Sequence, residues 1–512
     1  MTVVLPLEAL VALREAVHRE LPAAARLRRE LHARPSLSGH EEPTLDQLLD
    51  ALPGGAGAER VAAGTGAVLR IGGPGPAVGV RAELDALPIT EATGVPWAAS
   101  NGAMHACGHD VHMAALTALA RALHQVGPPV PMLAVLQPRE EGNPSGALDV
   151  VTSGVLQAHR VAAMAAAHVQ PLLNPGEVAC APGVVNASAD EFIVTMIGRP
   201  GHAAYPHLTR DPVLALAQFV VAVQQLVSRN TDPMQPAVVT VGTLAAGKAS
   251  NAIPGTATAR GTTRSMTEAD RDRLHERLRE VATGIALAHG CTADVVIVRG
   301  EPVLDNDPGL AASTGALLTR LGVTVTEPLR TCGGDDFSFY GDVAPGLMVF
   351  VGTEGEPGSG LHTATFLPGD RAVADVADAL LAAYLAGCAT ITGLSPVGHR
   401  PGADLGKIAA GPDDFAAGAA WAVRRVVTPL GAQRLDEQQP ASALGVRPQV
   451  LWAGLMPVGV PDLHQHAVPV RGQPEPHRQL TGPALLRDVG RRAHRVGGNL
   501  GDQQFNRVGQ GR

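Results

Sequence analysis

Short runs rich in Val and Leu alternate with longer stretches rich in Ala and Leu from about residue 66 to residue 182. AVGVRAEL and PMLAVLQP read as strands that end in polar loops, and HMAALTALARALHQV between them reads as a helix. This alternation predicts an α/β fold with a mostly parallel sheet flanked by helices. Ligands bind beyond the carboxyl ends of the strands in such sheets, so we expect the chemistry in the loops after VRAEL and LAVLQP.

The segment 188–298 has a different pattern. Its runs read in order as a strand, a long helix, two strands, a second helix and a last strand, which is the β-α-β-β-α-β order of a ferredoxin-like α+β unit. Strand and helix patterns then resume and end with the helix AVADVADALLAAYLAG. We therefore expect a catalytic domain formed by residues 1–187 and 299–390, with an α+β domain inserted at 188–298.

Residues 391–512 form a tail that is rich in Pro, Gln, Arg, His and Gly and has weak periodicity. This composition predicts poor order. The alternative interpretation is that the tail was read from a shifted frame. We assign it no function.

Composition excludes several classes of protein. The net charge of −8 gives no reason to expect nucleic acid as a partner, and no run of about 20 apolar residues predicts a membrane span. The five cysteines are widely spaced and odd in number, which favours reduced thiols. The N-terminal segment has acidic side chains on a helical pattern and no signal-peptide features, so we expect a cytoplasmic location.

The segment MHACGHDVH, residues 104–112, places a cysteine and a histidine two residues apart. Cys107 and His109 can face the same side of an extended loop, and thiolate and imidazole are good ligands for zinc and related metals. A lone pair of this kind more often contains a buried structural cysteine. Asp110 is the expected N-cap of the following helix, and His105 and His112 are expected to support the site or the fold.

Two adjacent acids, Glu140 and Glu141, follow the strand PMLAVLQP in the sequence QPREEG. Adjacent side chains leave an extended backbone in opposite directions. One carboxylate can then bind a metal while its neighbour accepts the proton of the attacking water. Solvated loop acids are the alternative, and the position at the end of a strand favours a role in the site.

Three further residues are isolated in the sequence. His168 follows an apolar run and His362 a Gly-rich one, and each taken alone is more often a buried structural histidine than a ligand. Asp85 ends another strand, where it can orient a ligand or open a turn before Pro88.

The ordered set of segments resembles one family. Its members here are LRRELHARPSLSGHEEPT, RAELDALP, MHACGHD, QPREEG, AHVQP, GRPGHAAYPH, NAIPG, GTTRS, DDFSFY and LHTATF. Their order and spacing are similar to the aminoacylase and carboxypeptidase-G superfamily of dinuclear metallohydrolases. Within it they resemble the branch of hippurate hydrolase, N-acyl-amino-acid amidohydrolases and auxin-conjugate hydrolases. The resemblance covers about residues 10 to 388.

The resemblance implies two divalent metal ions per subunit, as zinc, manganese, cobalt or nickel. Cys107 would bridge them, and the coordination would be completed by His109, Glu141, His168 and His362. Glu140 would be the general base and proton shuttle. The inserted domain would act as a lid and dimerisation domain, so we expect a homodimer or a higher homo-oligomer. On that lid, His202 would stabilise the oxyanion, in its own or a partner subunit's site, and Asn251 and Arg264 would hold the substrate's carboxylate.

The expected reaction is hydrolysis of the amide bond of an N-acyl amino acid, a small-molecule substrate, by metal-activated water. A dipeptidase or aminopeptidase, or a metal-binding protein without efficient catalysis, is the alternative. The sequence departs from the family pattern at three positions, where Glu83 replaces Asp, Arg139 replaces Ala and Asp335 replaces Glu. Arg139 would either change substrate preference or only contact solvent.

Overall fold

The structure, a computed structural model, describes residues 7–354 and 360–393. The tail predicted to be poorly ordered, 391–512, lies outside the described residues apart from its first three positions.

The described residues contain ten α-helices: α1 Leu7–His32, α2 Glu42–Ala51, α3 His109–Val126, α4 Gly146–Thr152, α5 Val155–Ala158, α6 Pro212–Ala222, α7 Gln225–Asn230, α8 Glu268–Ala288, α9 Pro308–Arg320 and α10 Arg371–Thr392. They also contain sixteen strands. The first eight are β1 Glu59–Val61, β2 Gly66–Ile71, β3 Ala77–Glu83, β4 Met132–Gln137, β5 Val161–Gln170, β6 Glu177–Ala179, β7 Gly183–Asn186 and β8 Ser188–Ile197. The other eight are β9 Gly201–His202, β10 Ala237–Ala246, β11 Ala252–Ile253, β12 Thr256–Ser265, β13 Thr292–Arg299, β14 Leu304–Asn306, β15 Thr324–Val325 and β16 Gly346–Gly352.

Eight strands form one large sheet in the order β1-β2-β4-β3-β5-β16-β6-β15. The central strands β4, β3, β5 and β16 are parallel, whereas β1, β2 and β6 add antiparallel pairs. The predicted fold class, a mostly parallel sheet flanked by helices, is confirmed.

Alternate residues of β4 explain why its sequence is apolar throughout. Met132, Ala134 and Leu136 belong to one hydrophobic cluster, with residues of α1, α3, α9 and α10. Leu133 and Val135 belong to a second cluster, with residues of α4, α5 and the 3-10 helix Asp336–Asp342. Because successive side chains of a strand point to opposite faces, a sheet covered on both faces needs apolar residues at every position.

Four antiparallel strands form a separate small sheet in the order β10-β12-β8-β13. Phe192, Val194 and Met196 pack under α6, α7 and α8, whereas Glu191 and Ile193 lie on the face that the helices leave open. The element order matches the predicted β-α-β-β-α-β unit. The single long helix predicted after β8 is instead two helices, α6 and α7.

Helix α10 is long and apolar enough by length and composition to cross a membrane. However, 83% of its most apolar window is buried within the fold, and it packs against β5, α3 and α9. These contacts account for its composition as that of a core helix.

Candidate metal centre

The predicted metal ligands meet at the carboxyl ends of the parallel strands of the large sheet. The side chains come from the loop before α3, the first turn of α3, the loop after β4, strand β5 and the loop before α10. Cys107 Sγ lies 3.4 Å from His168 Nε2, and Glu141 Oε1 lies 3.1 Å from His362 Nε2. One ligand atom each of Cys107, His109 and Glu141 lies within 4.8 Å of the others. All five predicted ligands are therefore brought together.

In two of the histidines a hydrogen bond occupies Nδ1 and leaves Nε2 for the cluster of ligands. His109 Nδ1 donates to the carbonyl oxygen of Asp85 at 2.9 Å, and His168 Nδ1 donates to the carbonyl oxygen of Val169 at 2.7 Å. In each ring Nε2 is left to coordinate. His109 Nε2 and Glu141 Oε1 are buried and have no hydrogen-bond partner, although His362 Nε2 lies 3.1 Å from Glu141 Oε1 as an ionic contact. Buried polar atoms without hydrogen bonds are unusual, and a bound cation would satisfy both.

The charges around the cluster also fit a cation. Burial, and then the charges of Glu141 and Glu140, raise the pKa of Cys107 well above its usual value, an effect that a divalent cation reverses. Burial lowers the pKa of His168 to about 3, so its ring is neutral. Burial lowers the pKa of His109, but the hydrogen bond with Asp85 and nearby acids raise it to about 10, so metal binding there would displace a proton.

Asp85 lies behind the ligands and orients them. Its Oδ2 accepts hydrogen bonds from Ser38 Oγ at 2.7 Å and from the backbone N–H of Glu141 at 2.9 Å. Its Oδ1 lies 3.5 Å from His109 Nδ1. Asp85 thus fixes one ligand through its imidazole and another through its backbone.

His112 and Glu83 form a second group of possible ligand atoms with His109 and His168. The backbone N–H of Val169 donates to His112 Nε2 at 3.0 Å, so His112 Nδ1 carries the proton and donates to Glu83 at 2.9 Å. Both nitrogens are engaged, and His112 supports the strand segment that carries His168.

A buried group of charges surrounds Arg81 beside Glu140. The Arg81 guanidinium contacts Glu83, Asp335 and Asp336, and carboxylate oxygens of Glu140, Asp335 and Asp336 lie within 4.8 Å of one another. Burial, and then the charge of Glu141, raise the pKa of Glu140 well above its usual value. A carboxyl group of this kind can hold a proton and return it.

Sequence reasoning missed the role of Arg81, although a signal was present. Arg81, Glu83 and Asp85 occupy every second position at the end of a buried strand, so they point to one side of it. Asp110, predicted as a helix cap, lies instead inside the first turn of α3, and Gly108 is the N-cap. The Asp110 carboxylate accepts hydrogen bonds from Arg28 and lies 3.1 Å from His32 Nδ1.

The side chain of Arg139 contacts protein groups rather than solvent alone. The backbone of Arg139 has a positive φ of 50°, which favours a turn away from the strand direction. Its side chain then reaches Asp149, the carbonyl oxygen of Pro144 and Thr65. His362 also has a positive φ, of 64°, so backbone strain lies on both sides of the ligand cluster.

A cleft of about 410 Å³ opens over the cluster and is lined by Glu140, Glu141, Arg264 and His362 among others. His202 and Asn251 do not line it. His202 lies in the two-stranded β9–β11 sheet, where it pairs with Ala252, and Asn251 directly precedes β11. Both side chains are exposed. The structure therefore brings Arg264 to the ligands and keeps His202 and Asn251 apart from them within one chain.

Comparison with known proteins identifies the family. The model of peptidase family M20/M25/M40 matches residues 79–384. The chain is 36% identical to an N-acetyldiaminopimelate deacetylase of Bacillus subtilis over 68% of this chain and 94% of the relative. It is 35% identical to an N-acetyl-L-cysteine deacetylase of the same species, over 64% of this chain and 80% of the relative.

A solved structure agrees with these relatives. A dinuclear metal-binding peptidase of the M20 family from Bacillus subtilis has a TM-score of 0.61 and 30% identity, over 74% of this chain and 99% of that chain. The family predicted from the ordered sequence segments is confirmed, and with it the hydrolase class and the dinuclear type of metal centre. The chain belongs to peptidase family M20/M25/M40.

Proposed function

We propose that this chain hydrolyses the amide bond of N-acetyl and related N-acyl amino acids. The observation that carries the proposal is the position of Glu140, which lies beside the metal-ligand cluster in a cleft that also contains Arg264. Relatives that are N-acetyl amino acid deacetylases support this class of substrate.

The residues that would hold two divalent metal ions are Cys107, His109, Glu141, His168 and His362. Metals bound there would supply Lewis acidity and would make water acidic enough to attack an amide near neutral pH. Asp85 keeps His109 and Glu141 in place through the hydrogen bonds described above.

Glu140 takes the proton of the attacking water and returns it to the nitrogen of the leaving amine. Its carboxylate Oε2 lies 3.8 Å from His109 Nε2, so it borders the ligands. On the other side of Glu140, the Arg81 guanidinium forms ion pairs with Asp335 and Asp336. The raised pKa of Glu140 favours the protonated form that the second transfer needs.

Arg264 is proposed to bind the substrate's carboxylate, since a guanidinium pairs with a carboxylate through two parallel hydrogen bonds. His202 and Asn251 are proposed to complete the site of a second copy of the chain, which explains why they are exposed here. Exposed apolar side chains on the same inserted domain, 188–298, support a homodimer. They are Tyr205, Leu208, Val221, Met234 and Leu244. The cytoplasmic location remains a prediction from the sequence.

The test is a panel of acetyl, benzoyl and indoleacetyl amino acids assayed with added manganese, zinc, cobalt or nickel. Hydrolysis of at least one N-acyl amino acid is expected. A matched dipeptide with a free amino terminus separates the alternative, because a dipeptidase would prefer it over its N-acetylated form. A folded sample that cleaves no member of the panel with any metal would contradict the proposal.

A further inference from the structure

The loop after β4, which carries Glu140 and Glu141, is held by a buried carboxylate on each side of Glu140. On one side, the backbone N–H of Arg139 donates to Glu41 Oε1 at 2.9 Å. On the other side, the backbone N–H of Glu141 donates to Asp85 Oδ2 at 2.9 Å. Only the backbone dihedral angles of Arg139 and Glu140 lie between these two fixed N–H groups.

The backbone of Arg139 is in the left-handed region, with a φ of 50°. A residue other than glycine rarely adopts this conformation, because its Cβ then lies too close to a carbonyl oxygen. The angle φ is the rotation about the bond that follows the N–H held by Glu41. A change of φ at Arg139 would therefore swing the peptide group that leads to Glu140, and with it the Glu140 carboxylate.

The side chain of Glu41 has no role in the helix that it precedes. Glu41 is the N-cap residue of α2, but its side chain makes no capping hydrogen bond. It is fully buried, and Oε1 accepts a second hydrogen bond from the backbone N–H of Gly39 at 2.8 Å. Its other oxygen, Oε2, is buried and has no hydrogen-bond partner. An acid buried in this way is costly for the fold, so its hydrogen bond to the distant Arg139 calls for a functional reason.

The segment that carries Glu41 also supports the hydrogen bond on the other side of Glu140. Ser38 Oγ donates to Asp85 Oδ2 at 2.7 Å, the same oxygen that accepts the N–H of Glu141. A Cβ added at Gly142 would lie only 2.6 Å from Ser38 Cβ, so the segment and the loop are in direct contact. Residues 36–41, within the sequence LRRELHARPSLSGHEEPT, therefore brace the loop on both sides of its central acid.

We propose that Glu41 is a positioning residue for the hydrolytic reaction. By holding the N–H of Arg139, it maintains the left-handed turn that places the Glu140 carboxylate beside the metal ligands. The inference rests on the proposed function, in which Glu140 transfers the proton of the attacking water. Glu41 does not line the cleft, so it acts through the backbone of Arg139 and not on the substrate.

The alternative is that Glu41 only stabilises the fold. The two roles differ in what they predict for an enzyme that remains folded. A purely structural role lowers the free energy of unfolding and leaves the turnover of each folded molecule unchanged. A positioning role lowers kcat and changes KM little, because the groups that bind the substrate are not touched.

The first experiment compares Glu41→Ala with Glu41→Gln on an N-acyl amino acid that the wild type hydrolyses. Glu41→Ala should lower kcat by about tenfold or more, because a small displacement of a catalytic group has a large effect on the rate. Its KM should stay within about threefold of the wild type, and its metal content should be unchanged because Asp85 still holds Glu141. Glu41→Gln keeps an acceptor oxygen for the N–H groups of Gly39 and Arg139 and should retain most of kcat.

The second experiment tests the turn itself, because glycine adopts a positive φ without a steric cost. Arg139→Gly and Arg139→Ala both remove the side-chain contacts of Arg139, but only the glycine variant also removes the strain. With Glu41 in place, the two variants should have similar kcat values. When each is combined with Glu41→Ala, the Arg139→Gly variant should have a kcat about fivefold higher than the Arg139→Ala variant.

Three results would overturn the inference while leaving the proposed function in place. They are a wild-type kcat in Glu41→Ala, an equal loss of kcat in Glu41→Gln and Glu41→Ala, and equal kcat values for the two double variants. If the wild type hydrolyses nothing, the proposed function fails, and crystal structures of the wild type and of Glu41→Ala decide the inference alone. A negative φ at Arg139 with a displaced Glu140 in the variant would support it, and an unchanged loop would overturn it.

Discussion

The large sheet and the small sheet both bury charged side chains. In the small sheet, both carboxylate oxygens of the central acid, Asp190, have hydrogen-bond partners. Asp190 in β8 accepts hydrogen bonds from Arg271 at 2.9 and 2.5 Å, from the backbone N–H of Gly300 at 3.0 Å, and lies 2.7 Å from His275 Nε2. At the carboxyl ends of the large sheet's strands, by contrast, His109 Nε2 and Glu141 Oε1 have no hydrogen-bond partner and only ionic contacts, with Glu140 at 3.8 Å and His362 at 3.1 Å.

This difference separates a structural network from a binding site. A fully paired buried network stabilises one arrangement of its elements, here α8 on the small sheet. Buried polar atoms without partners are costly unless a ligand satisfies them. The predictions below test that distinction, beginning with the largest expected effect.

Glu140→Gln should lower kcat by about a thousandfold, because an amide cannot accept the proton of the attacking water. The variant should keep its metals, since Glu140 is not among the proposed ligands. The measurements are steady-state kinetics and metal content on the same sample. Near-normal turnover would remove Glu140 from the role of base, and Glu141→Gln, which should lose metal, is the matched control.

His202→Ala should lower kcat by about a hundredfold, although His202 is exposed and does not line the cleft of its own chain, because a donor to the oxyanion is lost. Mixing this variant with Glu140→Gln and exchanging the subunits should restore activity. In the mixed dimer one site then has an intact Glu140 and receives an intact His202 from the partner. Full activity of His202→Ala, or no recovery on mixing, would contradict a role for His202 across subunits.

Asp190→Asn should destabilise the fold by about 3 kcal/mol, since the charge of Arg271 stays buried without its carboxylate. Burial raises the pKa of Asp190, but the hydrogen bonds from His275 and Arg271 lower it to about 2. Its contribution is therefore present above the unfolded pKa of about 4 and is lost as the pH falls towards 2. Denaturant unfolding at pH 7 and at low pH checks this, and an equal deficit of the variant at both would contradict it.

The sequence predicted which side chains meet at the candidate metal centre better than it predicted their surroundings. Cys107, His109 and Glu141 could be named because ligand chemistry depends on side-chain type and on order along the chain. The direction of the Arg139 side chain could not be predicted, because it depends on a positive φ in a loop. A non-glycine residue rarely adopts such a φ. The separation of Asn251 from Arg264 was also missed, since strand pairing between distant segments decides it.

Glu301 and Asn186 line the cleft but had no signal in the sequence at all. Each is a single polar residue at the end of a short apolar or β-branched run, and nothing local distinguishes it from a solvated loop residue. They meet only because the chain leaves the large sheet before β8 and returns to it after β13. Residues that meet in a cleft in this way are set by tertiary structure, whereas candidate metal ligands carry a chemical type that the sequence displays.

The most direct test of the central claim is the metal content of the purified protein and of two cysteine variants. We expect two divalent ions per chain in the wild type and in Cys180→Ser, because Cys180 lies outside the cleft and donates to the carbonyl oxygen of Ala311. Cys107→Ser should lose at least one ion, since the thiolate proposed as a ligand is replaced by a neutral hydroxyl. Equal metal content in Cys107→Ser and Cys180→Ser would show that the ligand cluster is not where the metals bind.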